Sequence, residues 1–129
     1  MSIPQSGGGP IEHQDQLAAF LAEGCKPKAD WRIGTEHEKF GYCADTLNPL
    51  PYDGPRSIRA VLEGLRDGFG WDPVLEGSNI IGLTKDGANV SLEPGGQLEL
   101  SGAPLETIHQ TCDEVNEHLR QVKTVADRI

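Results

Sequence analysis

The sequence predicts an α+β fold, an antiparallel sheet with flanking helices, and three observations carry that expectation. Two early segments and one closing segment place apolar residues at helical spacing. Between the second and third lies a stretch, 72–101, that alternates in period two. It is cut by turn signals at Glu76-Gly77-Ser78, Lys85-Asp86-Gly87 and Pro94-Gly95-Gly96, the mark of a meander of short antiparallel strands. The 129 residues fit one domain, and 16 Gly with 9 Pro agree with its many turns.

Taken in order, 1–10 is rich in Gly, Pro and Ser and reads as a flexible leader ahead of a domain over 11–129. Leu17, Phe20 and Leu21 set a helix over 12–23, with Gly24 as its stop. A loop over 26–30 leads into an extended strand over 31–42. Three prolines and a glycine make 44–55 a loop. A second helix over 56–67 lines up Ile58, Val61, Leu62 and Leu65, and Gly68 and Gly70 end it. The last helix is expected to start near Pro104, with Glu106 in the first turn facing the helix dipole. Its stripe is Ile108, Cys112, Val115, Leu119, Val122 and Ala126, still in register at Ile129 with no stop signal. The chain is therefore expected to end in mid-helix, as a piece of a longer unit.

Composition excludes several functions. Twenty Asp and Glu against 11 Lys and Arg give a net charge of −9, which argues against a nucleic-acid binder or a polybasic membrane-surface protein. It fits a partner that brings its own cations, such as a magnesium–nucleotide complex. The longest apolar run, 17–22, is far short of the ~20 residues that span a bilayer. The first ten residues show neither a basic nor an apolar signal region, so no signal peptide is expected. Cys25, Cys43 and Cys112 are odd in number, widely spaced and without a C-x-x-C. They predict neither a disulfide framework nor a zinc site, and place the chain in a reducing cytoplasm as three small buried or half-buried hydrophobes.

The chemistry gathers on two strands. Around Pro94-Gly95-Gly96, Val90 and Leu92 point one way while Asn89, Ser91 and Glu93 point the other. After the turn, Leu98 and Leu100 share a face opposite Gln97, Glu99 and Ser101. With Glu93 across from Gln97, Ser91 meets Glu99 and Asn89 meets Ser101. The same alternation puts Glu36 and Glu38 on one face, about 7 Å apart by two strand rises. Carboxylates this close repel unless a cation joins them, and rigid strand-borne carboxylates suit a hard oxygen-seeking ion such as magnesium. One solvated face of a half-exposed sheet is the other reading of the same pattern. His37 alternates away from both glutamates and reads as a core-facing or hydrogen-bonded histidine. No H-E-x-x-H, G-x-S-x-G, P-loop or G-x-G-x-x-G is present, and Gly7-Gly8-Gly9 reads as a linker.

Two long motifs are more specific. W-R-I-G-T-E-H-E-K-F-G-Y over 31–42 and S-L-E-P-G-G-Q-L-E-L-S-G-A-P-L-E-T over 91–107, with H-Q-T-C-D-E-V-N-E-H-L over 109–119, resemble glutamate–cysteine ligase of the plant and alphaproteobacterial type. The resemblance covers the chain from about Ile11 to its end. It implies part of a glutamine-synthetase-like carboxylate–amine ligase fold. It also implies an ATP-dependent enzyme that joins the γ-carboxylate of L-glutamate to the amino group of L-cysteine through an acyl phosphate, the first step of glutathione synthesis. Magnesium and ATP are the implied cofactor and co-substrate.

Carried over position by position, the resemblance makes Glu36, Glu38, Glu99 and Glu93 metal ligands and Gln97 a substrate-binding residue. Lys39 is either a phosphate contact or a surface residue, and Ser91 and Ser101 support the site. Members of the family are several times longer, so the 129 residues are expected to be an N-terminal piece that cannot ligate alone. Two alternatives stay open: a non-catalytic metal-binding or interaction module, and a ligase joining glutamate to another amine. Disulfide redox control belongs to plant members, but these three spaced cysteines give no pairing.

Overall fold

The computed structural model describes residues 8–129, so the first seven residues of the expected leader lie outside the description. Its elements are α1 (Gln14–Glu23), β1 (Glu36–Phe40), α2 (Ile58–Phe69), β2 (Asp72–Glu76), β3 (Asn79–Lys85), β4 (Ala88–Glu93), β5 (Gln97–Ser101) and α3 (Ile108–Ala126). The strands form one antiparallel sheet in the order β1-β5-β4-β3-β2. The α+β expectation holds, as do the meander and its three turns.

One face of the sheet is apolar and lies under α2 and α3. Leu83, Val90, Leu98 and Leu100 from the strands meet Ile58, Val61, Leu62 and Leu65 from α2, with Trp71 and Val125 closing the cluster. Leu62 and Leu65 are fully buried. α2 starts at Ser57, whose side chain accepts from Ala60 N at 3.1 Å. It runs through Gly68, one of its two expected stops, and ends at Gly70 instead. There a φ of 69° closes the helix in the left-handed conformation that glycine adopts without strain.

The first glycine of α2, Gly64, has a different reason. A Cβ at Gly64 would stand 2.5 Å from Cγ1 and 3.1 Å from Cγ2 of Val125, so Gly64 lets α2 and α3 approach closely. Gly64→Ala gains about 1 kcal/mol of helix propensity but overpacks a stiff side chain at about 1–3 kcal/mol. The expected net loss is up to about 2 kcal/mol, read from urea unfolding, and a gain in midpoint would show that Val125 has room to turn.

Three expectations are corrected. The strand expected over 31–42 is regular only in β1, because Ile33 bridges to Leu105 in a different register and Tyr42 bridges to Pro49. α3 starts after Thr107 rather than near Pro104. Thr107 Oγ1 accepts from Gln110 N, and Gln110 Oε1 accepts from Thr107 N at 2.9 Å, a capping box that outweighs the proline. Nor is the helix still running at Ile129: it ends at Ala126, where Asp127 N donates to Lys123 O at 2.9 Å.

The stripe expected to pack α3 is displaced as well. Thr111, His118, Gln121 and Val125 are buried, whereas Ile108, Cys112, Leu119 and Ala126 are exposed. Val115 and Val122 flank the seam half-buried. Polar residues can hold this position because most find partners. Trp71 Nε1 donates to Gln121 Oε1 at 2.8 Å, and Ala103 N donates to Glu114 Oε1 at 2.9 Å.

Candidate functional site

The other face of the sheet carries the candidate site, and register builds it. Across the strands one row reads Asp72, Thr84, Asn89, Ser101, Glu36, and the next Val74, Gly82, Ser91, Glu99, Glu38. A third row is Glu93, Gln97, Phe40. The expected pairings of Glu93 with Gln97, Ser91 with Glu99 and Asn89 with Ser101 are those observed. Pro94-Gly95-Gly96 fixes them: Gly95 at φ 80° and Gly96 at φ 78° turn the chain back in a conformation closed to most side chains.

β1 adds what sequence alternation alone does not supply. Its register sets Glu38 directly opposite Glu99, with Glu36 two residues along the same strand. Like charges directly opposite on neighbouring strands are destabilising. Glu99 is also buried, at 4% exposure. Its Oε1 accepts from the Ser101 hydroxyl at 2.7 Å, and among the described residues no Lys, Arg or His forms an ion pair with it. Glu36 and Glu38 are exposed beside the buried Glu99, so a cation held on this face would relieve their repulsion. This donor set, strand carboxylates backed by a serine hydroxyl, fits magnesium.

Glu93 stands one row away, where Ser91 Oγ donates to its Oε1 at 3.2 Å. The four glutamates therefore share a face without meeting at one point. Among the described residues, no three His, Cys, Asp or Glu side chains form a group able to hold an ion. Ligation here calls for further oxygens, which substrate phosphates can provide. Gln97 lies between Glu93 and Phe40 with its amide half-buried. Asn89 lies on this face as expected, and its buried Oδ1 has no hydrogen-bond partner among the described residues. Thr84 and Asp72 extend its row, Thr84 in regular register with Asn89, whereas a register break between Val74 and Leu75 stops simple alternation along the β2–β3 hairpin from reaching Asp72.

Lys39 does not reach this face. It lies half-buried on the helix side, its Nζ 2.8 Å from His37 Nδ1 and donating to His37 O at 2.8 Å. Burial pulls its ammonium down to about 8. His37 is the hydrogen-bonded histidine expected, and burial together with the nearby Lys39 charge lowers its pKa. Two cysteines differ from expectation, since Cys25 and Cys112 are exposed; Cys43 is half-buried as expected, and all three are free thiols.

The comparisons agree with the motifs. The glutamate-cysteine ligase family 2 (GCS2) model matches residues 32–129. Glutamate–cysteine ligase A, chloroplastic, of Oryza sativa subsp. japonica is 58% identical over 120 residues, 93% of this chain and 24% of the relative. The chloroplastic ligases of Nicotiana tabacum and Arabidopsis thaliana are 57% and 56% identical over the same length, each covered to 22%. The chain thus spans about a quarter of the length of the curated relatives it matches. Their names overturn the cytoplasmic expectation, since each of these relatives is called chloroplastic and three unpaired cysteines do not distinguish one reducing compartment from another. With a family model over three quarters of its residues and relatives this similar, the chain belongs to glutamate-cysteine ligase family 2.

Proposed function

We propose that this chain supplies one wall of the active site of an ATP-dependent ligase that joins L-glutamate to L-cysteine, on a glutamine-synthetase-like fold. One observation carries the reading: the ladder that sets Glu36, Glu38 and Glu99 on a single face, with Glu38 opposite Glu99. In this reading Glu36, Glu38 and Glu99 hold magnesium and Glu93 assists from the next row. When bound, the ion offsets negative charge on the triphosphate and on the phosphoryl group in transfer.

The remaining roles belong to the chain's own residues. Ser101 holds Glu99 in place through its hydroxyl. Gln97 presents an amide that can orient a substrate carboxylate or ammonium group. Strand placement keeps these groups rigid, so that the γ-carboxylate oxygen of glutamate meets the terminal phosphorus of ATP in line. That attack expels ADP and leaves an acyl phosphate. The cysteine nitrogen then attacks the acyl carbon, phosphate departs, and the amine loses a proton. An acidic face that takes its positive charge from the ion explains how a chain of net charge −9 accepts a polyphosphate.

The test is a chimera in which this chain replaces the matched 120 residues of the rice ligase A. It is expected to form γ-glutamylcysteine only with ATP, glutamate and cysteine together. A folded chimera that consumes no ATP under those conditions would refute the reading. The 129 residues alone are expected to release no product.

A further inference from the structure

On the helix side of the sheet, a cavity of about 240 Å³ opens between α3 and the turn that joins β3 to β4. Trp71, Ala88 and Leu100 form its apolar wall. Glu114 and His118 line it from α3, four residues apart and so neighbours on one face of the helix. Both carry buried polar atoms without a hydrogen-bond partner among the described residues: Glu114 Oε2, His118 Nδ1 and His118 Nε2. His118 is 2% exposed, and the other oxygen of Glu114 already accepts from Ala103 N at 2.9 Å. A Cβ at position 102 would collide with Glu114 Oε2, so Gly102 lets the carboxylate lie where it does. Buried polar atoms are nearly always paired, and here three unpaired ones belong to two residues of one cavity.

Charge selects the ligand. Glu117 lines the same cavity but is engaged: Arg120 Nε donates to its Oε2 at 2.7 Å and Gln121 Nε2 to its Oε1 at 2.8 Å. Glu114 and Asp86 are in no ion pair among the described residues, and the one cation lining the cavity with them is Lys85, whose Nζ donates to Phe69 O. Two carboxylates against one ammonium leave a single negative charge, which matches a monocation. A metal ion fits poorly, because among the described residues no three His, Cys, Asp or Glu side chains converge. An ammonium group fits well. It has three N–H donors and no acceptor, so it can donate to the free oxygen of Glu114 and to the imidazole of His118. Burial keeps that ring neutral near pH 7, which leaves one of its nitrogens an acceptor. Trp71 sets an aromatic ring beside the imidazole, 6.1 Å between centroids, and aromatic rings attract cations.

We propose that this cavity binds a small primary alkylammonium ion, its nitrogen held between Glu114 and His118 and its hydrocarbon stem lying along Trp71, Ala88 and Leu100. The volume falls short of the roughly 300–1,000 Å³ of drug-sized sites, which limits the stem to a few carbons. Burying that stem against the apolar wall adds to the affinity and separates an alkylammonium from a bare inorganic cation. The site lies on the opposite side of the sheet from the carboxylate face and shares no residue with it, so it stands apart from the ligase reading.

The experiment titrates n-butylammonium chloride into the nitrogen-15-labelled chain at neutral pH and follows its NMR spectrum. One molecule is expected to bind with a Kd on the order of 1 mM, the range open to so few atoms, and to shift the Trp71 indole N–H and the Ala103 amide. Sodium chloride at matched ionic strength and sodium butanoate are expected to move neither signal. Glu114→Gln and His118→Leu are each expected to weaken binding about tenfold or more. If both variants misfold, the map of shifts on the natural chain decides the matter. Shifts that do not saturate, that sodium chloride reproduces, that fall elsewhere, or that persist unchanged in both folded variants would each overturn the assignment. So would a tighter response to zinc chloride at the same residues. The titration is repeated on the chimera with the rice ligase, where the same binding is expected. Binding by the chain but not by the chimera would mean that the longer polypeptide fills the cavity, and would overturn the assignment as well.

Discussion

Stability is expected to fall by on the order of 3 kcal/mol between pH 6.5 and pH 4 because of one residue, His118. Its ring is 2% exposed, neither nitrogen has a hydrogen-bond partner among the described residues, and it meets Trp71 edge-on at 6.1 Å. Burial holds its pKa at about 4, against 6.5 ordinarily, and the charges of Lys39 and His37 push the same way. Glu114, Glu117, Lys85 and Asp86 line the cavity next to it, and they do not reverse the shift. The sign follows from proton counting: below pH 6.5 the unfolded chain takes up a proton that the folded chain refuses until about pH 4. The contribution is therefore complete above 6.5 and lost as pH falls to 4. Urea unfolding at pH 7, 5.5 and 4.5 measures it, with His118→Leu as the reference. The variant is expected within about 1 kcal/mol of the natural chain at pH 7, because it also removes two unsatisfied nitrogens, and to lose less on acidification. Equal losses in both proteins would assign the acid sensitivity to the carboxylates instead.

His118 also marks where the sequence is hardest to read. Apolar periodicity assumes that the buried stripe is the apolar one, and on α3 it selected Ile108, Cys112, Leu119 and Ala126, all exposed. The buried seam is made of Thr111, His118, Gln121 and Val125, and three of these four are polar. Gln121 is tolerated because both ends of its amide are met: its Nε2 donates to Glu117 Oε1 at 2.8 Å, and its Oε1 accepts from Trp71, 50 residues away in sequence and so displayed by no local pattern. α2 has no such partners, its stripe is aliphatic, and Ile58, Val61, Leu62 and Leu65 are all buried as expected. The start of α3 was legible in principle, since Thr107 and Gln110 spell a capping box, but Pro104 offered a competing signal.

The site was more legible than the helix that covers the opposite face. A turn of fixed geometry sets the register of the two strands it joins, so the pairing of β4 with β5 follows from Pro94-Gly95-Gly96 alone. The partner of β1 does not follow from anything local, because β5 is some sixty residues later and the hydrogen bonds between them leave no trace in alternation. That long-range pairing turns two separate acidic patches into one by placing Glu38 opposite Glu99. The same limit explains the overlong strand over 31–42, where Ile33, the residues of β1 and Tyr42 pair with different partners in turn.

Removing one negative charge from that pair is expected to have the largest effect on catalysis. In the chimera with the rice ligase, Glu38→Gln and Glu99→Gln are each expected to lower kcat by roughly 100- to 1000-fold, the range for losing one preorganised electrostatic group in an active site. Both substitutions keep size and hydrogen-bonding capacity, so Ser101 can still donate to the residue at 99 and the ladder persists. In both variants the magnesium concentration giving half-maximal rate is expected to rise, which a purely structural defect would not produce. Glu93→Gln, one row away, is expected to cost less. Lys39→Met lies on the opposite face and is expected to leave the magnesium requirement unchanged. If Glu38→Gln and Glu99→Gln stay within about threefold of the parent in both kcat and magnesium requirement, the carboxylate ladder is one face of an ordinary sheet and the metal site lies elsewhere in the longer polypeptide.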